Sequence, residues 1–240
     1  MAHRWCVSGA FPGDEMTRYV GVQSNFLGDF RSQLDIRITE NQTTPVSTSW
    51  SLNAHVCSLA VSKIGSDYFM YVVFCNMSFI AFTRIDPAQS NTPVPKSLGS
   101  FQILTGQNQT GWSDGFQYQA SFNHELYLAM DDSQTHLVVV DRLNCLLREV
   151  EIYTPGHYLT RTYTLYGVPP RSVNEFVCGG SGALVDPRLI FRVANGYGFM
   201  LVTSDPTGNC DVLWQLDTLK KQLTQVWTTS GNSDINLDVI

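Results

Sequence analysis

The sequence predicts an all-β protein built from repeated four-stranded antiparallel units, on three observations. Short runs rich in Val, Leu, Ile, Tyr, Phe and Thr alternate with polar or Gly/Pro-containing breaks along the 240 residues, the pattern of strands and tight connections. The same order of four runs occurs three times. The ends of the second runs (Cys75, Asp141 and Asp205) recur at 141 − 75 and 205 − 141, a period of about 65 residues. No segment carries the 3.6-residue apolar period of an amphipathic helix.

In chain order, residues 17–53 form the weakest unit, reading TRYVGVQSNF, QLDIRIT and VSTSWSLN without a clear first strand. Residues 56–106 give VCSLAVSKI, YFMYVVFC, SFIAFTRI and SFQILTG. Residues 116–167 give the clearest unit: FNHELYLAM, HLVVVD, CLLREVEI and RTYTLYG, preceded by a Gly-rich connector. Residues 174–231 repeat it with PRLIFRV, YGFMLVTSD, DVLWQLD and LTQVWTTSG. The connections Pro87 to Ser97 and Pro169 to Gly182 stretch the period beyond the roughly 40–50 residues of familiar propeller repeats. Three clear units and a partial one seldom close a ring, and a propeller needs closure to hide its sheet edges. The expectation is an arc of a larger propeller, with a closed four-bladed ring as the alternative. The closing stretch GNSDINLDVI echoes the connector TGWSDGFQ, as if a further blade were to follow.

The clearest unit also carries a motif: Asp114-Gly115 ends the connector, Ala120-Ser121-Phe122-Asn123 follows, Val139-Val140-Asp141-Arg142-Leu143-Asn144 forms a turn, and Leu147-Arg148-Glu149-Val150 forms a strand. These segments resemble one repeat of the NHL family, over residues 104–167 well and over the flanking units less so. The resemblance implies a β-propeller of four-stranded blades. It also implies that the Asp141–Asn144 turn sets backbone geometry through side-chain bonds to nearby amides, with Arg148 meeting a neighbouring carboxylate or solvent. A secreted enzyme of this family, peptidyl-α-hydroxyglycine α-amidating lyase, holds a catalytic zinc with histidines at the mouth of the axis. His124 lies one residue from such a position, and His55 is its only counterpart, whereas the third unit offers Asp186-Pro187-Arg188. A catalytic zinc takes three protein ligands and an open position, so no metal site and no catalytic residues are assigned. The remaining His3, His136 and His157 read as loop residues.

Composition narrows the function. Charged residues are only 15% of the chain against 43% hydrophobic, below the roughly 25% charged usual for soluble domains. N-linked sugar would supply the missing surface polarity, and three acceptor tripeptides exist, at Asn41, Asn76 and Asn108. A net charge of −6, with no basic cluster beyond Lys220-Lys221, argues against nucleic acid as partner. No run reaches the 18 or so apolar residues of a membrane span. The N-terminus lacks the apolar core of a signal peptide, which suits a mature chain or, as preferred here, part of a longer one.

The six cysteines contain no C-x-x-C pair, so zinc and thioredoxin-like chemistry find no support, and an even count with sequons suits an oxidising compartment. Partners in a hairpin have position numbers of constant sum. Cys57 and Cys75 sum to 132, twice the centre of the turn Gly65-Ser66-Asp67, so they are expected to bridge. Cys178 and Cys210 sum to 388 against 391 for the Asn195-Gly196 turn, a second expected bridge. Cys6 and Cys145 pair by elimination.

The Gly-rich stretches Thr105 to Gly115 and Gly179 to Gly182 lead into no helix whose amides would bind phosphate, and Ser181 in GGSGA lacks the second glycine of a nucleophile elbow. Trp112, Tyr118 and Tyr153 are expected as wedges between blades ahead of sugar- or protein-stacking groups. The expected function is therefore a non-enzymatic extracellular scaffold without cofactor: glycan-bearing, binding other extracellular proteins or further domains of a larger chain, or self-assembling. A metal-dependent lyase is the enzymatic alternative, and a cytoplasmic adaptor with free thiols a third.

Overall fold

A computed structural model describes residues 56–64, 67–75, 77–85, 101–131, 133–153, 159–167, 184–192, 198–204, 211–217 and 220–228, together with the backbone of four strands before residue 53. Those four are β1 (Arg4–Ala10), β2 (Thr17–Ser24), β3 (Ser32–Ile38) and β4 (Val46–Leu52). They pair antiparallel in sequence order as one sheet. β1 is the first strand that the sequence did not display. Its residues RWCVSGA lack a sustained apolar alternation, and pairing along β2 organises them instead.

The second blade holds β5 (Val56–Ile64), β6 (Asp67–Phe74), β7 (Phe79–Ile85) and β8 (Gln102–Gly106). The third holds β10 (Leu126–Met130), β11 (His136–Asp141), β12 (Leu146–Ile152) and β13 (Thr160–Tyr166). A two-residue strand from the connector, β9 (Gly115–Phe116), adds to the outer edge of that sheet against β13. The fourth holds β14 (Leu189–Arg192), β15 (Gly198–Ser204), β16 (Asp211–Asp217) and β17 (Gln222–Thr228). The expected run FNHELYLAM shortens to Leu126–Met130 because Glu125 adopts φ 62, which ends extended backbone there.

Each sheet is an up-and-down meander, and the first strands lie side by side in chain order, β1 by β5, β5 by β10, β10 by β14. That is the arrangement of propeller blades around an axis, so the chain forms an arc of a β-propeller. Among the described residues, no helix is long and apolar enough to cross a membrane.

Alternating strand residues point to opposite faces, and each face meets a different neighbour. Tyr71, Val73, Ile80 and Leu104 of the second blade pack against Leu126, Leu128, Leu137 and Val139 of the third. Hydrogen bonds cross the same interface: Leu128 N donates to Ser58 Oγ at 2.9 Å, and Thr160 Oγ1 to the Leu104 carbonyl at 2.9 Å. The opposite face of the third blade (Val138, Val140, Leu147) packs on Ile190, Leu201 and Leu216 of the fourth.

The Cys57–Cys75 bridge forms, with Cα atoms 4.9 Å apart. Its register differs from the one expected. Asp67 already pairs with Ile64, so the hairpin sum is 131, and a bulge between Val56 and Ser58 inserts Cys57 as an extra residue. The bulge, which re-aims the strand end, is what brings Cys57 to Cys75. In the fourth blade, Leu189 pairs with Val202 and Arg192 with Phe199, the 391 sum that Asn195-Gly196 required. Cys178 and Cys210, which were to bridge across that blade, lie outside the described residues. Cys145 is disulfide-bonded, to a cysteine outside the described side chains; Cys6 is among those outside.

Candidate functional site

The polar residues of the third blade gather into two neighbouring constellations at one end of the sheets. The first is buried and centres on Arg148, whose side chain has no exposed surface. From β12 its Nη1 donates to the Ser121 carbonyl and to Asp141 Oδ2 at 3.3 Å. Its Nη2 donates to the Ser113 carbonyl at 2.6 Å and to Asp114 Oδ1 at 2.8 Å. The guanidinium lies 4.5 Å from the centre of the Phe122 ring, a cation–π contact that strengthens when desolvated.

Asp141, at the end of β11, completes the knot. Its Oδ1 accepts from the Asn123 amide at 3.2 Å and its Oδ2 from Asn144 Nδ2 at 2.8 Å. Burial pushes its carboxyl up to about 6, against the opposing pull of the Arg148 charge. Asn144 Nδ2 also donates to the Gly111 carbonyl at 2.7 Å, and Asp114 Oδ2 accepts from the Thr164 amide at 2.9 Å.

Thus the motif residues Asp114, Phe122, Asn123, Asp141, Asn144 and Arg148, spread over the sequence, converge to pin the connector onto its blade. The turn side chains do not bond the turn's own amides, as expected from the sequence. Asp141 reaches the Asn123 amide and Asn144 the Gly111 carbonyl instead, 18 and 33 residues away in the sequence. Arg148 does meet carboxylates, Asp114 and Asp141, in a buried setting that a strand sequence does not reveal.

The second constellation is an ionic chain between the third and fourth blades. Glu125 Oε2 sits 2.5 Å from Arg142 Nη1, Arg142 Nε 2.8 Å from Asp186 Oδ1, and Asp186 Oδ2 2.6 Å from Arg188 Nε. Arg188 continues to Asp211 at 3.3 Å and donates to Ser204 Oγ at 2.8 Å. Burial would raise the Asp186 carboxyl, but hydrogen bonds from Arg188 and Arg142 outweigh it and hold the group below the usual carboxylate range. Glu125 and Asp186 both adopt positive φ, 62 and 41. Sequence reasoning noticed Asp186-Pro187-Arg188 but missed its pairing with Arg142, since no local signal joins residues 44 positions apart.

His124 is held by Ser78, Oγ to Nδ1 at 3.3 Å. Its counterpart His55 lies outside the described residues. No group of three or more His, Cys, Asp or Glu is placed to hold a metal among the described residues. His136, expected in a loop, instead opens β11 and pairs with Glu151 of β12, and its Nδ1 lies 3.3 Å from Asp131 Oδ2.

Of the acceptor asparagines, Asn108 is exposed, in the connector after β8; Asn41 and Asn76 lie outside the described residues. Tyr118 is 59% and Tyr153 50% exposed, so neither is a wedge between blades. Tyr118 sits on the 3₁₀ turn Gln117–Gln119 that follows β9; the turn is tied to β8 of the second blade through Thr105 Oγ1 and the Gln117 carbonyl at 3.1 Å, and the Tyr118 side chain stays outside that contact. Trp112 is half-buried.

No family model and no curated protein matches the chain. Among solved structures, it is similar to an auxiliary nutrient binding protein from Bacteroides thetaiotaomicron VPI-5482, with 16% identity, TM-score 0.45, and coverage of 76% of this chain and 42% of that one. It is also similar to a luciferin-regenerating enzyme, with 8% identity, TM-score 0.41, and coverage of 93% and 61%. A chain of a nidogen/laminin complex aligns with 10% identity, TM-score 0.43, and coverage of 91% and 77%. The chain thus spans less than two thirds of the length of the first two, and no function is carried over from any of them.

Proposed function

We propose that this chain is a non-enzymatic scaffold domain of an extracellular glycoprotein, displaying loops and blade faces to other extracellular proteins or to further domains. The observation that carries the proposal is the Cys57–Cys75 bridge, which joins two strand ends of one blade and persists in oxidising compartments. The exposed Asn108, in an acceptor tripeptide on the connector, is consistent with it.

The non-enzymatic part is supported by how the polar side chains are used. Arg148, Asp141, Asp114 and Asn144 are bonded to the connector backbone and to one another. Glu125, Arg142, Asp186, Arg188 and Asp211 are paired with one another between blades. Neither set resembles a nucleophile with its base, or an acid–base pair open to substrate. NHL-like membership is proposed on the same motif, since the quoted residues make the contacts that give the repeat its shape.

The deciding experiment is intact mass of natively sourced protein, before and after glycan removal, with and without reduction. Loss of mass on deglycosylation, and a gain of about two daltons per bridge on reduction, support the proposal. A bare and fully reduced chain overturns it in favour of a cytoplasmic adaptor. Stoichiometric metal, lost on His124→Ala, overturns it in favour of the lyase.

A further inference from the structure

Three of the four outer hairpins share one irregularity, which the regular β3–β4 register lacks. The β7–β8 register skips Leu104, between the pairs Ile80–Thr105 and Ala81–Ile103. The β12–β13 register skips Leu165, between Leu147–Tyr166 and Arg148–Thr164. The β16–β17 register skips Val226, between Leu213–Trp227 and Trp214–Gln225. The bulges recur at 165 − 104 and 226 − 165, both 61 residues. A bulge repeated at one position of three successive blades turns the same side chain toward the same side of the sheet.

What differs is what covers that side chain. Leu104 is 1% exposed, packed in the core shared with the third blade. Leu165 is partly buried against the core shared with the fourth. Val226 is 52% exposed. Its neighbours on that face are covered less than those on the other: Gln215 is exposed and Met200 and Leu213 are half-buried, though Val202, paired with Leu213, is 8% exposed. The face turned to the third blade, by contrast, buries Phe199, Leu201 and Leu216 at 2%, 0% and 1%. β14 packs beside β10, and no described first strand packs comparably on its other side.

We propose that this face of the fourth blade is an interface for another four-stranded blade, supplied by the first blade of a second copy of the chain. The interface continues one the chain already makes twice, with the Val226 bulge in the place of Leu104 and Leu165. A blade-on-blade contact is head-to-tail, so it either closes a ring or grows a filament. Two arcs of four described blades, closed by two-fold symmetry, give a ring of eight, at the upper end of the roughly four to eight blades propellers adopt. Each ring then contains two identical interfaces. The proposal is independent of the compartment in which the chain works.

The test is sedimentation equilibrium on the 240-residue chain and on Val226→Arg and Gln215→Arg. Both positions are exposed within one chain, so folding, checked by circular dichroism, is retained. The wild type is expected at twice the 26.8 kDa chain mass. Each variant is expected to raise the dissociation constant at least about tenfold, since an arginine buried there lacks a partner. A wild type that is monomeric up to its solubility limit overturns the proposal. So does a dimer that ignores both substitutions, or open-ended assembly beyond the dimer.

Discussion

Arg148 and Asp141 form an ion pair, Nη1 to Oδ2 at 3.3 Å, in which neither side chain has any exposure. Both charges are out of water, and a buried pair is weak evidence for net stability. What the pair holds is geometry: Arg148 also grips the Ser113 and Ser121 carbonyls. Breaking it from one side leaves the other charge stranded. Arg148→Met is expected to destabilise by about 3–5 kcal/mol in urea unfolding. Adding Asp141→Asn should recover part of that loss, as contacting residues are non-additive. Strict additivity would show that the two do not act as a pair.

The raised Asp141 carboxyl sets a pH dependence. Its folded value, pushed by burial to about 6, lies above the ordinary 3.8. Between those values the folded state holds a proton that the unfolded state has lost. Stability from this group is therefore fully present below pH 3.8 and lost as pH rises through 6. The difference is on the order of 3 kcal/mol. Unfolding at pH 4.5 and 7 should show this slope in the wild type and not in Asp141→Asn. Equal slopes would place the titration elsewhere.

Gly106 ends β8 at φ 98, and an added Cβ would lie 2.8 Å from Phe79 Cα and the Ser78 carbonyl oxygen. Gly106→Ala is expected to lower stability by about 1–3 kcal/mol from backbone strain alone, with the clash adding to it. Gly198→Ala has no positive φ and a nearest contact of 3.2 Å, so thermal melting should rank it clearly milder.

The Cys57–Cys75 bridge closes a loop of sequence separation 18. Replacing both by serine is expected to cost about 3 kcal/mol, with the blade still formed. Amide exchange in β5 and β6 should accelerate more than in β15 and β16. Uniform acceleration would mean that the blades unfold as one unit.

Much of the strand layout was legible because period-2 runs and their breaks are local. The residues of the connector and turn (Asp114, Phe122, Asn123, Asp141, Asn144, Arg148) were singled out from sequence, yet their contacts were not. Asp141 and Asn144 were read as local turn bonds, and they reach instead to residues 123 and 111. β1 escaped notice since it owes its conformation to β2. The ionic chain from Glu125 to Asp211 escaped because it is assembled across two blades.

By itself the sequence determined the all-β class, the four-run repeat and the Cys57–Cys75 pairing, all consequences of alternation and turn chemistry over a few residues. Only the tertiary structure decided that Arg148 is buried over Phe122, that a bulge rather than a plain register aligns Cys57 with Cys75, and that Val226 is left uncovered. Each of these depends on which blade lies against which face. Burial is a property of neighbours in space, and residues 61 positions apart with the same local backbone can differ in it completely.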